Sequence, residues 1–241
     1  MNVTVAKTAG FCFGVRRAVD LAEQQAGKQG TIYAFGEIIH NMHEIRRLER
    51  CGVRTAYTLE EIPEGAAVLI RAHGVPRTVY EELERKSCRV FDATCPFVQK
   101  IHRIVDEESR AGRLVVILGS AGHPEVVGIE GWCGASVVLD GEEQARAFAA
   151  QLTDPDRPIS VVAQTTINRA IWNISVGLIK KRCTNLKIFD TICKATDERQ
   201  SEARLLAGAS DQMIVIGDKK SSNTKRLYEI SRSLCSNVLY I

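Results

Sequence analysis

Three cysteines of this chain occupy one local setting. Cys12 follows the apolar stretch Val3-Thr4-Val5-Ala6 by way of Gly10-Phe11, Cys95 follows Arg89-Val90-Phe91-Asp92, and Cys193 follows Leu186-Lys187-Ile188-Phe189-Asp190. Behind each cysteine the apolar residues switch to helical spacing, so each sits where a strand hands over to a helix. The first two are 83 residues apart and the last two 98; self-similarity on this scale marks repeated structural units. None belongs to a local CxxC cluster, so what they hold, if they converge, is set by the fold.

A second register runs alongside the first. His40 lies 28 residues after Cys12, His123 28 after Cys95, and Ser221 28 after Cys193. All three follow strand-like runs, as do His73 and the Thr165-Thr166 pair. In parallel α/β units the loops at the carboxyl ends of the strands share one edge and lead into helix N-termini, where ligands bind. Units arranged about a common centre would bring Cys12, Cys95 and Cys193 together, with His40, His73, His123, Thr165, Thr166, Ser221, Ser222 and Asn223 around them. Inward-pointing helix N-termini with neutral donors make an anion site. Closed zinc sites take four protein ligands, and catalytic zinc is often held by histidine and carboxylate, so three distant thiolates suit zinc less well. A 4Fe-4S cubane held by three cysteines has one open iron, able to act as a Lewis acid while the cluster supplies electrons. Glu125, in His123-Pro124-Glu125, is the nearest group for moving protons, with Thr165 or His123 assisting.

The elements that must position these residues alternate. Strands are expected at 31–36, 67–72, 89–91, 114–119, 159–163, 186–189 and 212–217. Helices are expected from Val15 to Gln25, to Arg50, over 77–86, from Cys95 to Arg110, over 168–181, from Cys193 to Ala207 and up to Leu234. Alternation of this kind means an α/β fold with parallel sheet and right-handed crossovers. The expected organisation is three similar parallel-sheet units around a common centre: residues 11–95, residues 96–193, and residues 194–241 joined by a strand from 1–10. The repeat also calls for a second post-strand loop in the third unit, beyond Ser221. The Phe91 and Phe189 runs read as buried strands. Cys51, Cys88, Cys133, Cys183 and Cys235 read as small packed side chains, His43 and His102 as solvated, Lys219-Lys220 as a solvated pair, Trp132 and Trp172 as packing residues, and Ser221-Ser222-Asn223 as a helix N-cap as well.

The 241 residues, 45% hydrophobic and 25% charged, suit a soluble globular chain. A net charge of +3 is too small to argue for nucleic acid. No apolar run is long enough for a membrane helix and the N-terminus lacks a signal peptide, so the expected place is the cytoplasm, where eight cysteines stay reduced.

Gly10-Phe11-Cys12-Phe13-Gly14-Val15-Arg16-Arg17-Ala18, Ile39-His40-Asn41, Ala72-His73-Gly74-Val75, Asp92-Ala93-Thr94-Cys95-Pro96, Gly122-His123-Pro124-Glu125-Val126, Gln164-Thr165-Thr166, Asp190-Thr191-Ile192-Cys193 and Ser221-Ser222-Asn223 together resemble the 4-hydroxy-3-methylbut-2-enyl diphosphate reductase family, in the right order from Gly10 to Asn223. The resemblance implies a three-unit α/β fold, pseudo-threefold around a 4Fe-4S cluster on Cys12, Cys95 and Cys193. It implies two-electron reductive removal of the substrate's allylic hydroxyl as water, giving isopentenyl and dimethylallyl diphosphates. It further implies that His40, His73, Ser221, Ser222 and Asn223 hold the diphosphate, and that His123, Thr165 and Glu125 serve the hydroxyl and proton delivery. Reduced ferredoxin or flavodoxin is the implied donor, to a monomer or homodimer. The family pattern continues with a Gly/Ala/Ser-rich turn whose serine contacts the diphosphate, then a final helix, so the sequence reads as a fragment or as a pocket open on one side. An open-iron hydro-lyase or a non-enzymatic cluster-based redox sensor are the alternatives; dependence of turnover on a reductant separates the first from a reductase.

Overall fold

The computed structural model describes residues 2–241. Two four-stranded sheets share one plan. The first contains β1 (Ile32–Phe35), β2 (Val53–Ala56), β3 (Ala67–Ile70) and β4 (Arg89–Asp92) in the order β2-β1-β3-β4. The second contains β5 (Leu114–Leu118), β6 (Ser136–Leu139), β7 (Ile159–Ala163) and β8 (Leu186–Ile188) in the equivalent order β6-β5-β7-β8. A third sheet has two strands, β9 (Met213–Val215) and β10 (Val238–Tyr240). Every pairing is parallel.

The sequence accounts for this order. β3 (AVLI), β5 (LVVIL) and β7 (ISVVA) are buried at every position, the continuous apolar pattern of strands covered on both faces. They lie inside their sheets. Their helices carry apolar stripes instead: α4 (Pro96–Arg110) buries Ile101 and Val105 against Val115 and Ile117, and α7 (Arg169–Lys180) buries Trp172 and Ile179 in the cluster around Val116 and Val161.

Several expectations need correction. β2, β6 and the helix α6 (Glu142–Gln151) were not expected; β2 and β6 are four-residue edge strands with mixed burial, too short for a periodicity to stand out. β4 and β8 are not buried strands: Val90 and Ile188 are exposed, because each is the last strand of its sheet. Val3–Ala6 is not a strand, and Val3 and Val5 are about three-quarters exposed. A strand needs a neighbour for its backbone groups, and among the described residues β9 pairs only with β10, Ile214 on it being exposed. Residues 7–10 are held by side chains of α8 (Lys194–Gly208) instead. Glu202 accepts from the Lys7 and Thr8 backbone N–H and from Thr8 Oγ1 at 2.7, 2.9 and 2.6 Å, and Arg199 donates to the Thr8 and Gly10 carbonyls.

His102 is buried, not solvated, and stacks on Trp132 at 5.3 Å. Cys51 is exposed and Cys88 and Cys133 half-buried, whereas Cys183 and Cys235 are in the core. Lys220 is not free in solvent: it pairs with Glu37 at 2.6 Å. No helix among the described residues is long and apolar enough to cross a membrane.

Candidate active site

Each of the three cysteines is the N-cap of a helix. Cys12 caps α1 (Phe13–Gln29), Cys95 caps α4 and Cys193 caps α8, all with ψ in the extended range and none spending its side chain on the cap. The repeated aspartates explain two of the junctions. Asp92 Oδ1 accepts from Thr94 N at 2.8 Å and Asp190 Oδ1 from Ile192 N at 3.3 Å, Asx turns that swing the chain off the strand. The next residues dock: Cys95 N donates to Ala72 O at 3.0 Å and Cys193 N to Thr165 O at 3.1 Å. Cys95 and Cys193 thereby follow the ends of β3 and β7.

The three cysteines lie near enough for their charges to act on one another. A Cβ on Gly14 would come within 2.5 Å of Cys95 Sγ, so the first turn of α1 lies against that sulfur. Arg17 reaches the Thr94 and Asp92 carbonyls from α1. Burial pushes the Cys95 thiol up; helix N–H groups of Phe97 and Val98 oppose this, and the Cys12 and Cys193 charges add to it. Cys193 is pushed up in the same way, with Cys12 and Glu125 contributing. Raised in this way, Cys95 and Cys193 favour the neutral thiol, so holding them as thiolates calls for a positively charged guest, which is what a metal cluster provides to its ligands. All eight cysteines are free. The donor set fits such a group.

Beside them three imidazoles converge. His40 and His73 have ring centroids 4.6 Å apart, and His123 stands edge-on to both at 5.8 and 5.5 Å. His123 caps α5 (Pro124–Glu130), its Nδ1 accepting from Glu125 N at 3.1 Å, which leaves Nε2 to carry the proton. Burial first, then the charges of His40 and Arg71, hold its pKa down to about 4. Burial also holds His73 far below its ordinary value. Both are neutral donors near pH 7. His40 Nδ1 meets Glu37 at 3.0 Å, while His40 Nε2 and His73 Nδ1 are buried without a partner, a cost a bound ligand would remove.

Glu125 is 3% exposed. Its carboxyl accepts from Thr165 N at 2.6 Å and Thr165 Oγ1 at 2.8 Å. Burial raises its pKa to about 7 and wins over those two hydrogen bonds, which favour the carboxylate. A carboxyl that gains and loses its proton near neutrality is suited to proton transfer. Thr166 Oγ1 and Ser222 Oγ are 2.9 Å apart, with Gln164 Nε2 on both, joining the second unit's loop to the start of α9 (Ser222–Leu234). Ser221 caps α9 by accepting from Thr224 N, and the half-buried Asn223 amide makes no hydrogen bond among the described residues.

The structure thus joins the three histidines to one another, Glu125 to Thr165, and Thr166 to Ser222. Sequence reasoning passed over Arg71, Gly36, Glu37 and Tyr57, which line one cleft with His40, His123 and Lys220. Arg71 stands two residues before His73, and that adjacency was the signal available.

Residues 3–241 match the family described as LytB protein. The chain is 39% identical over 236 residues to the 4-hydroxy-3-methylbut-2-enyl diphosphate reductase of Clostridioides difficile strain 630, covering 97% of this chain and 84% of that protein. It is 41% identical over 246 residues to the reductase of the same name from Aquifex aeolicus, covering 100% and 83%. Among solved structures it superposes with a TM-score of 0.89 at 27% identity on the E-1-hydroxy-2-methyl-but-2-enyl-4-diphosphate reductase of Plasmodium falciparum, over 96% of this chain and 73% of the other. A second, the (E)-4-hydroxy-3-methyl-but-2-enyl diphosphate reductase described as the terminal enzyme of the non-mevalonate pathway, gives 0.73 at 40% identity over 99% and 85%.

Proposed function

The chain belongs to the LytB protein family, and from that premise we propose the reaction and the site. It is an oxidoreductase that converts 4-hydroxy-3-methylbut-2-enyl diphosphate to isopentenyl and dimethylallyl diphosphates. The allylic C–O bond breaks, two electrons enter from the reduced donor, and two protons are taken up, one by the departing hydroxyl to make water and one by the allyl carbon. The observation that supports the site assignment is that three helix-capping cysteines act electrostatically on one another, with Glu125, bonded to Thr165, acting on Cys193.

Cys12, Cys95 and Cys193 would hold a 4Fe-4S cluster, which would supply electrons and Lewis acidity to the substrate. The chain's own residues do the rest. His40, His73, Ser221, Ser222, Asn223 and the N-terminus of α9 receive the diphosphate, hydrogen-bond donors and a helix dipole spreading its charge. Binding gives the orphaned nitrogens of His40 and His73 a partner. His123 presents Nε2–H, and Thr166 lies beside Ser222 to complete the wall. Glu125, protonated near neutrality, delivers a proton through Thr165 Oγ1 toward the leaving hydroxyl. Reduced ferredoxin or flavodoxin, docking in the cytoplasm on a monomer or homodimer, is the donor. The units are residues 11–95, 96–193, and 194–241 together with 1–10.

The test is anaerobic. The protein is reconstituted with iron and sulfide, and its Mössbauer spectrum is recorded before and after adding 4-hydroxy-3-methylbut-2-enyl diphosphate. One distinct iron site that changes with substrate supports the reading; a spectrum indifferent to substrate rejects the pocket assignment. Turnover without any reductant rejects the reductase mechanism in favour of a hydro-lyase.

A further inference from the structure

Arg71 follows β3 directly, with a half-buried side chain that pairs with no carboxylate among the described residues. Its Nε donates to Gly74 O at 3.3 Å, and no other hydrogen bond of its side chain is found among the described residues. The nearest acid that acts on it, Glu37, is already engaged by His40 Nδ1 at 3.0 Å and Lys220 Nζ at 2.6 Å. A buried cation without a partner is expensive.

The surroundings leave room for it. A Cβ at Gly36 would collide with Arg71 Nη1, and Gly36 has φ +75°, a conformation other residues resist. One nitrogen of the fork therefore lies close against the bare backbone of Gly36, at the carboxyl edge of the first sheet. It faces a cleft shared with His40 and His123, and its charge reaches both His73 and His123. A planar fork with unused N–H groups matches the oxygens of a phosphate.

We propose that Arg71 is a further substrate-binding residue, whose guanidinium takes the terminal phosphate of the diphosphate in the cleft between Gly36 and His123. This rests on the diphosphate reading of the histidine cluster. In that arrangement the histidines supply hydrogen-bond donors and Arg71 the compensating charge, which Lys220 cannot give while it neutralises Glu37. The alternative role is structural, a brace across the Arg71–Gly74 turn.

Isothermal titration of inorganic pyrophosphate into the cluster-loaded protein separates these, with wild type, Arg71→Gln, Arg71→Lys and His40→Asn compared and thermal melts run on each. Loss of a charge-assisted phosphate contact predicts about 10- to 100-fold weaker binding for Arg71→Gln. Arg71→Lys should recover part of this, since it keeps the charge and loses the fork. With substrate, Arg71→Gln should raise KM while kcat holds. Wild-type pyrophosphate affinity in both Arg71 variants, with binding lost in His40→Asn, overturns the proposal alone. Absence of pyrophosphate binding to wild type overturns the diphosphate reading and the proposal with it. If Arg71→Gln melts early, Arg71→Lys decides: full affinity with the fork gone rejects the bidentate contact.

Discussion

Cys95 and Cys193 are presented in one way and Cys12 in another. The first two leave edge strands of four-stranded sheets, turn on an aspartate, and fasten their own N–H to the carbonyl at the end of the neighbouring strand. Cys12 follows a segment that is not a strand, has no aspartate before it, and is led in by residues 7–10, which Glu202 and Arg199 hold from α8. The same chemistry is thus mounted on backbone in two units and on side chains in the other. A parallel-sheet edge supplies position only where its neighbouring strand is present; elsewhere a helix must supply it with carboxylate and guanidinium.

The largest test of this contrast asks whether the three sulfurs are equivalent despite it. Cys12→Ser, Cys95→Ser and Cys193→Ser should each abolish iron and sulfide retention after reconstitution, and Cys51→Ser should not. A Cys12→Ser protein with a full complement of iron would break the equivalence. Next, Glu125→Gln should keep its cluster and lose turnover by about 100-fold or more. In the wild type the acid form of Glu125 declines as pH rises through about 7, so the rate should fall there with an apparent pKa that the variant lacks. The sign for stability is the same. The folded pKa lies above the ordinary carboxylate value, so the relative stabilisation is complete below that value and lost as pH climbs through about 7. Melting temperatures of wild type and Glu125→Gln across that window check this.

Packing gives the third effect. Leu118→Ala, at a fully buried position of β5, should cost about 2–5 kcal/mol in denaturant melts. Ile216→Ala, at a side chain 76% exposed after β9, should fall within about 0.5 kcal/mol. Equal costs would mean the third sheet is as tightly packed as the others. The smallest effect is expected from Glu202→Gln, which weakens only the Cys12 mount. Cluster loss to an iron chelator should speed up a few-fold while the melting temperature changes little.

The fold was legible where the sequence carries strong periodicity. The central strands β3, β5 and β7 announce themselves as unbroken apolar runs, and the 28-residue offsets anticipated that His40 and His123 meet. What escaped was tertiary. Val3–Ala6 has the composition of a strand, yet pairing is decided by whether a neighbour exists. His102 sits in a charged helical run, but it lies on the inner face of α4 under Trp132. Arg71 looked like the end of a strand because nothing local says that an arginine's charge lacks an acid.

The way Cys12 is mounted also bears on the time course of folding. Thr8 and Glu202 are 194 residues apart, whereas strand pairs such as β5–β7 join much nearer parts of the chain. Closing so long a loop carries a larger entropic cost and comes late when local contacts are already in place. During synthesis Cys12 leaves the ribosome before Cys95 and Cys193, and the contacts that hold the segment just before it wait for α8. That helix brings those side chains and, at its cap, Cys193, so on the cysteine reading proposed above the site closes only when α8 forms.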